Sequence, residues 1–170
     1  GLVGVVIAAF LFYRRNNVTY ASGADLLALC TPIGLLLGRL ANFINGELWG
    51  RTTNLPWGVV FPGEAAQACG QVTGLCPRHP SQLYEAVLEG LILSIIMLTL
   101  VFSFEFLKRS GETIAIFLIG YGLSRFIVEI VREPDRQFIS SQNPNGFILQ
   151  FNEVVGLSMG QILSTPMIIV

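Results

Sequence analysis

The 170-residue chain is short of charge: Lys, Arg, Asp and Glu make up 12% of it, against about 25% in ordinary soluble domains. That shortage excludes an intrinsically disordered segment and a soluble coiled coil. Neither sign is in excess, with 10 Lys and Arg against 11 Asp and Glu, so no net field recruits a nucleic acid. Histidine is represented by His79 alone, which argues against a multi-histidine metal site within this stretch. No GxSxG elbow, Walker loop or dinucleotide glycine fingerprint is present. Internal repeats, low-complexity linkers and a clean apolar GxxxG pair are missing too. The chain also lacks an initiator Met: it opens at Gly1 inside one apolar run and stops at Val170 inside another. It therefore reads as part of a longer protein, with no signal peptide visible.

What is abundant is apolar. Hydrophobic residues make up 52% of the chain and the mean hydropathy is +0.64, the composition of an integral membrane protein. A helix crossing the hydrocarbon core needs roughly 20 apolar residues, and open strands cannot satisfy their backbone groups in lipid. Residues 26–46, 83–107 and 113–131 are long enough. Residues 2–13 read as the end of a span, and residues 156–170 as the start of another. The expectation is an all-α multi-pass membrane domain, a helical bundle in which the 18 glycines allow close packing.

Two polar connections are short, residues 14–24 and 108–112, and two are longer, residues 47–80 and 132–155. Alternate crossings place the short pair on one face and the loop-rich pair on the other. The long loops carry turn residues at Asn54-Leu55-Pro56, Phe61-Pro62-Gly63, Glu133-Pro134-Asp135 and Asn143-Pro144-Asn145-Gly146. Arg14, Arg15, Lys108 and Arg109 flank the short loops, balanced by Arg51, Arg78, Arg132 and Arg136 opposite. The compact juxtamembrane pairs favour the short loops inside. Cys69 and Cys76 lie in one long loop with six residues between them. They are either a disulfide, which needs an oxidising compartment, or two free thiols. Cys30 sits alone in a span and is expected to serve packing.

The informative residues are those that lipid penalises. A charged side chain at mid-bilayer costs at least about 2.5–3.5 kcal/mol, so it needs a partner and usually a purpose. Arg39, Asn42 and Gly46 fall within roughly a 60° arc of their helix. Tyr121, Arg125, Glu129 and Arg132 share about 80° of theirs, and Gln82, Glu85 and Glu89 about 60° of a third. Three facing stripes would form a polar chamber near the long-loop interface, with Arg39 and Arg125 neutralised by Glu85, Glu89 and Glu129. Guanidinium groups there suit a phosphate or carboxylate, which arginine grips with two parallel donors. The residues alone point to a membrane-embedded site for an anionic, lipid substrate; a transporter or channel subunit with a buried Arg/Glu path is the alternative. His79 and Ser81 precede or open a helix, where either could serve as a cap.

One stretch is more specific. Gly38-Arg39-Leu40-Ala41-Asn42-Phe43-Ile44-Asn45-Gly46-Glu47-Leu48-Trp49-Gly50-Arg51 closely resembles the signature of the prolipoprotein diacylglyceryl transferases. Two further blocks agree in order: Arg78-His79-Pro80-Ser81-Gln82-Leu83-Tyr84-Glu85, and Tyr121-Gly122-Leu123-Ser124-Arg125-Phe126 running on to Glu129 and Arg132-Glu133-Pro134-Asp135. The resemblance implies a bacterial inner-membrane enzyme of seven spans, of which this chain would hold about five, with its long loops and its site toward the periplasm. It implies transfer of a diacylglyceryl group from phosphatidylglycerol to the lipobox cysteine beside a prolipoprotein's signal peptide, releasing glycerol phosphate. Neither a metal nor an organic cofactor is implied, and no partner beyond these substrates and membrane lipids.

The resemblance makes Arg39 and Arg125 the lipid-binding and catalytic candidates. Asn42, Asn45, Glu47 and Gly50 would shape the head-group pocket, Glu129 would orient Arg125, and Tyr121 would donate a hydrogen bond. His79, Gln82 and Glu85 are further candidates. A histidine that the family carries in a His-Gly-Gly motif would lie before Gly1, so this stretch alone is expected to be inactive.

Overall fold

The computed structural model describes residues 2–69, 75–134, 136–139, 143, 146–152 and 156–170. Each of the five apolar segments contains a helix: α1 (Leu2–Asn16), α2 (Tyr20–Ile44), a composite helix, α6 (Glu112–Val128) and α7 (Met159–Ile168). The composite runs from α4 (Ser81–Glu85) through a π-helical turn (Ala86–Ile92) into α5 (Leu93–Phe104). A short α3 (Glu64–Gln67) lies in the loop between. Two helices, Tyr20–Ile44 and Ser81–Phe104, are long and apolar enough to cross a membrane. At 17 residues α6 is at the lower limit for a crossing.

Several boundaries differ from the sequence expectation. The 14–24 connection shrinks to three residues, because Thr19 caps α2 through the Ser22 amide and Asp25 need not end a helix. Asp25 is buried on α2, and its carboxylate accepts the Gly111 and Ile114 amides at 2.7 and 2.8 Å. It thus satisfies the N-terminus of α6 from another helix. Neither His79 nor Ser81 is a cap: the N-cap position before α4 is Pro80, which makes no side-chain cap, and the Ser81 hydroxyl donates to the Leu48 carbonyl at 3.0 Å. Cys30 is exposed rather than packed inside, on an apolar groove between α1 and α2.

The bundle is inverted relative to a water-soluble one. Leu37, Ile44, Phe102, Ile127 and Ile130 are each more than half exposed. An apolar core of Ala28, Leu93, Met97 and Phe117 joins α2, α5 and α6. Yet Gln82, Glu85, Glu89, Ser81 and Asp25 are among the most deeply buried side chains described. An apolar exterior of this extent does not suit water. Close approach makes the interior possible: a Cβ on Gly90 would lie 2.7 Å from the Leu36 Cα. The π-helical turn therefore lies directly on the backbone of α2.

The expected all-α fold is modified in the loops by short strands, which provide partners for backbone groups that no helix takes up. β1 (Val59–Val60) pairs antiparallel with β2 (Pro77–Arg78), matching Val59 to Arg78. β3 (Leu149–Gln150) pairs likewise with β4 (Gly156–Leu157). Isolated bridges join Gly50 to Arg132 and Thr52 to Arg78. The loop after α2 is thereby stitched to the end of α6. Cys69 and Cys76 form a disulfide with their Cα atoms 6.3 Å apart, resolving the choice left open by the sequence. Of the expected turns, Asp135, Pro144 and Asn145 lie outside the described residues.

Gly90→Ala should separate the π-helical turn from α2. Because the obstacle is backbone, we expect a loss of about 1–3 kcal/mol, visible as a lower unfolding midpoint in detergent. An unchanged midpoint would show that the two helices are free to move apart.

Candidate functional site

Three elements bring their polar stripes together, as the sequence led one to expect. Arg39 comes from α2, Glu85 and Glu89 from the composite helix, and Arg125 from α6, with Glu129 just past its end. Glu85 is the junction. One of its oxygens pairs with Arg39 Nε at 3.2 Å, and the other accepts a short hydrogen bond from Arg125 Nη1. Arg39 Nη2 reaches Glu89 at 3.4 Å, and Arg125 Nη2 reaches Glu129 at 3.2 Å. Arg132 closes the series against Glu129 at 3.7 Å. The order is Glu89, Arg39, Glu85, Arg125, Glu129, Arg132: alternating in sign and neutral in sum.

Burial within the series is graded. Glu85 and Glu89 are 1% and 0% exposed, whereas Arg39 and Arg125 are 17% and 14% exposed. The carboxylates are thus buried more deeply than the arginine side chains that pair with them. Nη1 of Arg39 and the Tyr121 hydroxyl have no hydrogen-bond partner among the described residues. Tyr121 is held one turn before Arg125 by stacking on Phe117, with ring centroids 5.9 Å apart. Pre-oriented donors with free N–H groups are the arrangement that binds an anion without reorganising.

The other sequence candidates lie around this series. Asn42 is half-buried on α2. Asn45 donates to the Glu47 carboxylate at 3.4 Å, both exposed at the end of that helix. Gln82 is fully buried, but its amide donates to the Glu47 carbonyl, tying loop to helix. Gly50 is buried between two backbones: its amide donates to the His79 carbonyl at 2.9 Å, and a Cβ there would be 2.5 Å from the Val131 carbonyl oxygen. His79 stands apart from the ion pairs. Its Nδ1 is 3.2 Å from the Tyr84 hydroxyl, which accepts the Trp57 indole N–H at 2.9 Å. Burial lowers the His79 pKa below its ordinary value of 6.5, which favours the neutral ring at pH 7.

Sequence reasoning missed three contributors. Arg132 was placed on the right stripe but not in the chamber. Ser158 caps α7 through a reciprocal box with Gln161 and donates to Glu129 at 3.1 Å; the Ser-x-x-Gln spacing before an apolar run could have revealed it. Arg78 is buried and donates to the carbonyls of Ala66, Gly50 and Ala68, pairs with Glu133, and lies 4.1 Å from the Trp49 ring centroid. It organises the loop. A cavity of about 260 Å³ adjoins Glu129, lined also by Arg51, Phe147, Ser158 and Gln161.

A family model described as prolipoprotein diacylglyceryl transferase matches residues 1–170. Among curated relatives, the phosphatidylglycerol–prolipoprotein diacylglyceryl transferase of Ruegeria pomeroyi is 60% identical over 168 residues, 99% of this chain and 57% of that protein. Its counterpart in Roseobacter denitrificans is 55% identical over 169 residues, again 99% and 57%. That of Agrobacterium fabrum is 47% identical over 167 residues, 98% and 52%. The chain spans little more than half the length of these relatives.

Removing the junction should be costly. Glu85→Leu removes the carboxylate that two guanidiniums share, leaving Arg39 with Glu89 alone and Arg125 with Glu129 alone; breaking a buried pair in this way commonly costs about 3–5 kcal/mol. We expect a severe loss of folded protein in the membrane. Glu85→Gln, which keeps an acceptor for one arginine, should be depleted less. Equal abundance of both variants and the parent would contradict the junction role.

Proposed function

The chain belongs to the prolipoprotein diacylglyceryl transferase family, and on that premise we propose that the protein moves the diacylglyceryl group of phosphatidylglycerol onto the lipobox cysteine of a prolipoprotein. The cysteine sulfur forms a thioether bond to the glycerol carbon as that carbon's bond to phosphate oxygen breaks. The thiol proton passes to a base, and glycerol phosphate leaves with the bonding electrons.

The observation that carries this reading is the pair of guanidiniums, Arg39 and Arg125, held on one buried carboxylate. As the carbon–oxygen bond breaks, negative charge grows on the phosphate. Guanidiniums already fixed by Glu85, Glu89 and Glu129 stabilise that charge without moving. Arg39 keeps Nη1 outside its ion pairs, and planar guanidinium geometry suits phosphate oxygens. The Tyr121 hydroxyl supplies a further donor to the same region. Asn42, Asn45 and Glu47 line the approach to the glycerol head group, and Gly50 lets the loop close against His79. An ordinary thiol has a pKa of about 8.5, so a local positive potential from the arginines also favours the thiolate.

The apolar exterior supports a multi-pass arrangement in the bacterial inner membrane, with about five of the family's seven spans in this chain. Residues 47–80 and 132–155 face the periplasm in this reading. The disulfide in the first of these loops agrees with it, since disulfides persist in oxidising compartments.

Labelled phosphatidylglycerol and a prolipoprotein substrate, supplied to membranes holding the full-length protein, test the reaction. Label should pass to the prolipoprotein. Arg39→Lys should lower the rate about 100-fold although charge is kept, as loss of one transition-state donor does elsewhere. Near-normal turnover by Arg39→Lys would remove the phosphate clamp.

Orientation is read separately in intact cells, with a thiol reagent that cannot cross the inner membrane. Cys69 as the sole cysteine should react, and a cysteine replacing Arg109 in a cysteine-free background should not. The reverse pattern would invert the topology.

A further inference from the structure

The carboxylate of Glu129 does not simply hang between Arg125 and Arg132. It lies across the first turn of α7, where Ser158 donates to one oxygen at 3.1 Å. A Cβ on Gly160 would stand 2.5 Å from both the Glu129 Cδ and Oε2, and 2.7 Å from Oε1. The carboxylate therefore occupies the volume that any other side chain at position 160 would need. Gly160 lies within α7 with no positive φ, so its backbone conformation makes no demand for glycine. Helix propensity would favour alanine there. The demand comes from the neighbour.

The surroundings make this placement consequential. Ser158 is held by its capping box with Gln161, so its hydroxyl is a fixed donor. The N-terminal end of α7 carries partial positive charge and suits a carboxylate. On its other side the same carboxylate faces Arg125 at 3.2 Å and Arg132 at 3.7 Å. Arg125 has two anchors, Glu85 and Glu129. With Glu129 displaced it would be tethered by Glu85 alone and free to swing about it.

We propose that Gly160 is a positioning residue: by lacking a side chain it lets Glu129 dock on the start of α7, and so sets the plane in which Arg125 meets the phosphate. The second half of this inference rests on the proposed reaction; the first does not. The critical variants are Gly160→Ala, Glu129→Asp and the two combined, in the full-length protein. Alanine at 160 pushes the carboxylate away, and aspartate withdraws it by one methylene, making room. Gly160→Ala should cut diacylglyceryl transfer at least tenfold through kcat, with KM and membrane abundance little changed. Adding Glu129→Asp should recover part of that loss, so that the double variant outperforms Gly160→Ala.

A role for Gly160 in helix packing alone predicts no such recovery. Gly160→Ala with parental kcat, or a double variant whose loss is the product of the two single losses, overturns the positioning role. The same cycle read in unfolding midpoints needs no reaction: coupling between positions 160 and 129 is expected, and additive midpoints overturn the docking itself. Coupled midpoints in a parent protein that transfers no label would uphold the docking and overturn the reaction.

Discussion

One carboxylate organises the interior of this protein. Glu85 is 1% exposed and is shared by two arginines from different helices. A buried anion with a single partner is a marginal arrangement, because desolvation consumes most of what the pair gains. Two partners change the balance, and the composite helix, α2 and α6 must then converge on one point. The approach of Gly90 to the Leu36 backbone follows from the same convergence, since Arg39 lies one turn beyond Leu36 on α2. Hydrophobic burial contributes little direction in a bundle whose outside is as apolar as its core. Polar convergence supplies it.

Much of this was legible in the residues. Arg39, Arg125, Glu85, Glu89 and Glu129 were identifiable because charge within apolar runs is rare and because helical spacing gathers it on faces. The signature around Arg39 then supplied the family. The remainder was hidden for physical reasons. Asp25 looked like the end of a loop, because its partners are amides 86 and 89 residues away and spacing cannot show them. The π-helical turn leaves no mark on the pattern of apolar residues. Ser158 and Gly160 sit where a strand gives way to a helix, and the apolar run there masked both.

The loop region follows a different logic from the bundle. It buries Phe61, Ala66 and Cys76, and it is ordered further by a buried cation. Arg78 gathers the carbonyls of three residues and the carboxylate of Glu133 around one guanidinium. The bridges from Gly50 to Arg132 and from Thr52 to Arg78 extend that order to the end of α6. The disulfide constrains the same stretch that supplies Ala66 and Ala68. The position of Glu129 is thus framed by the loop on one side and by α7 on the other.

The two ties between α2 and α6 have a mechanical meaning. Asp25 grips the start of α6, and Arg39, through Glu85, grips Arg125 near its end. The grips are 14 residues apart on α2, about 21 Å at 1.5 Å per residue. Two helices pinned at both ends act as a ruler rather than a piston: neither slides along the other without breaking a buried polar contact. Sliding would in any case drag a guanidinium out of step with its carboxylate. The depth at which the arginines stand is therefore a dimension of the scaffold, set by helix length between two polar rivets.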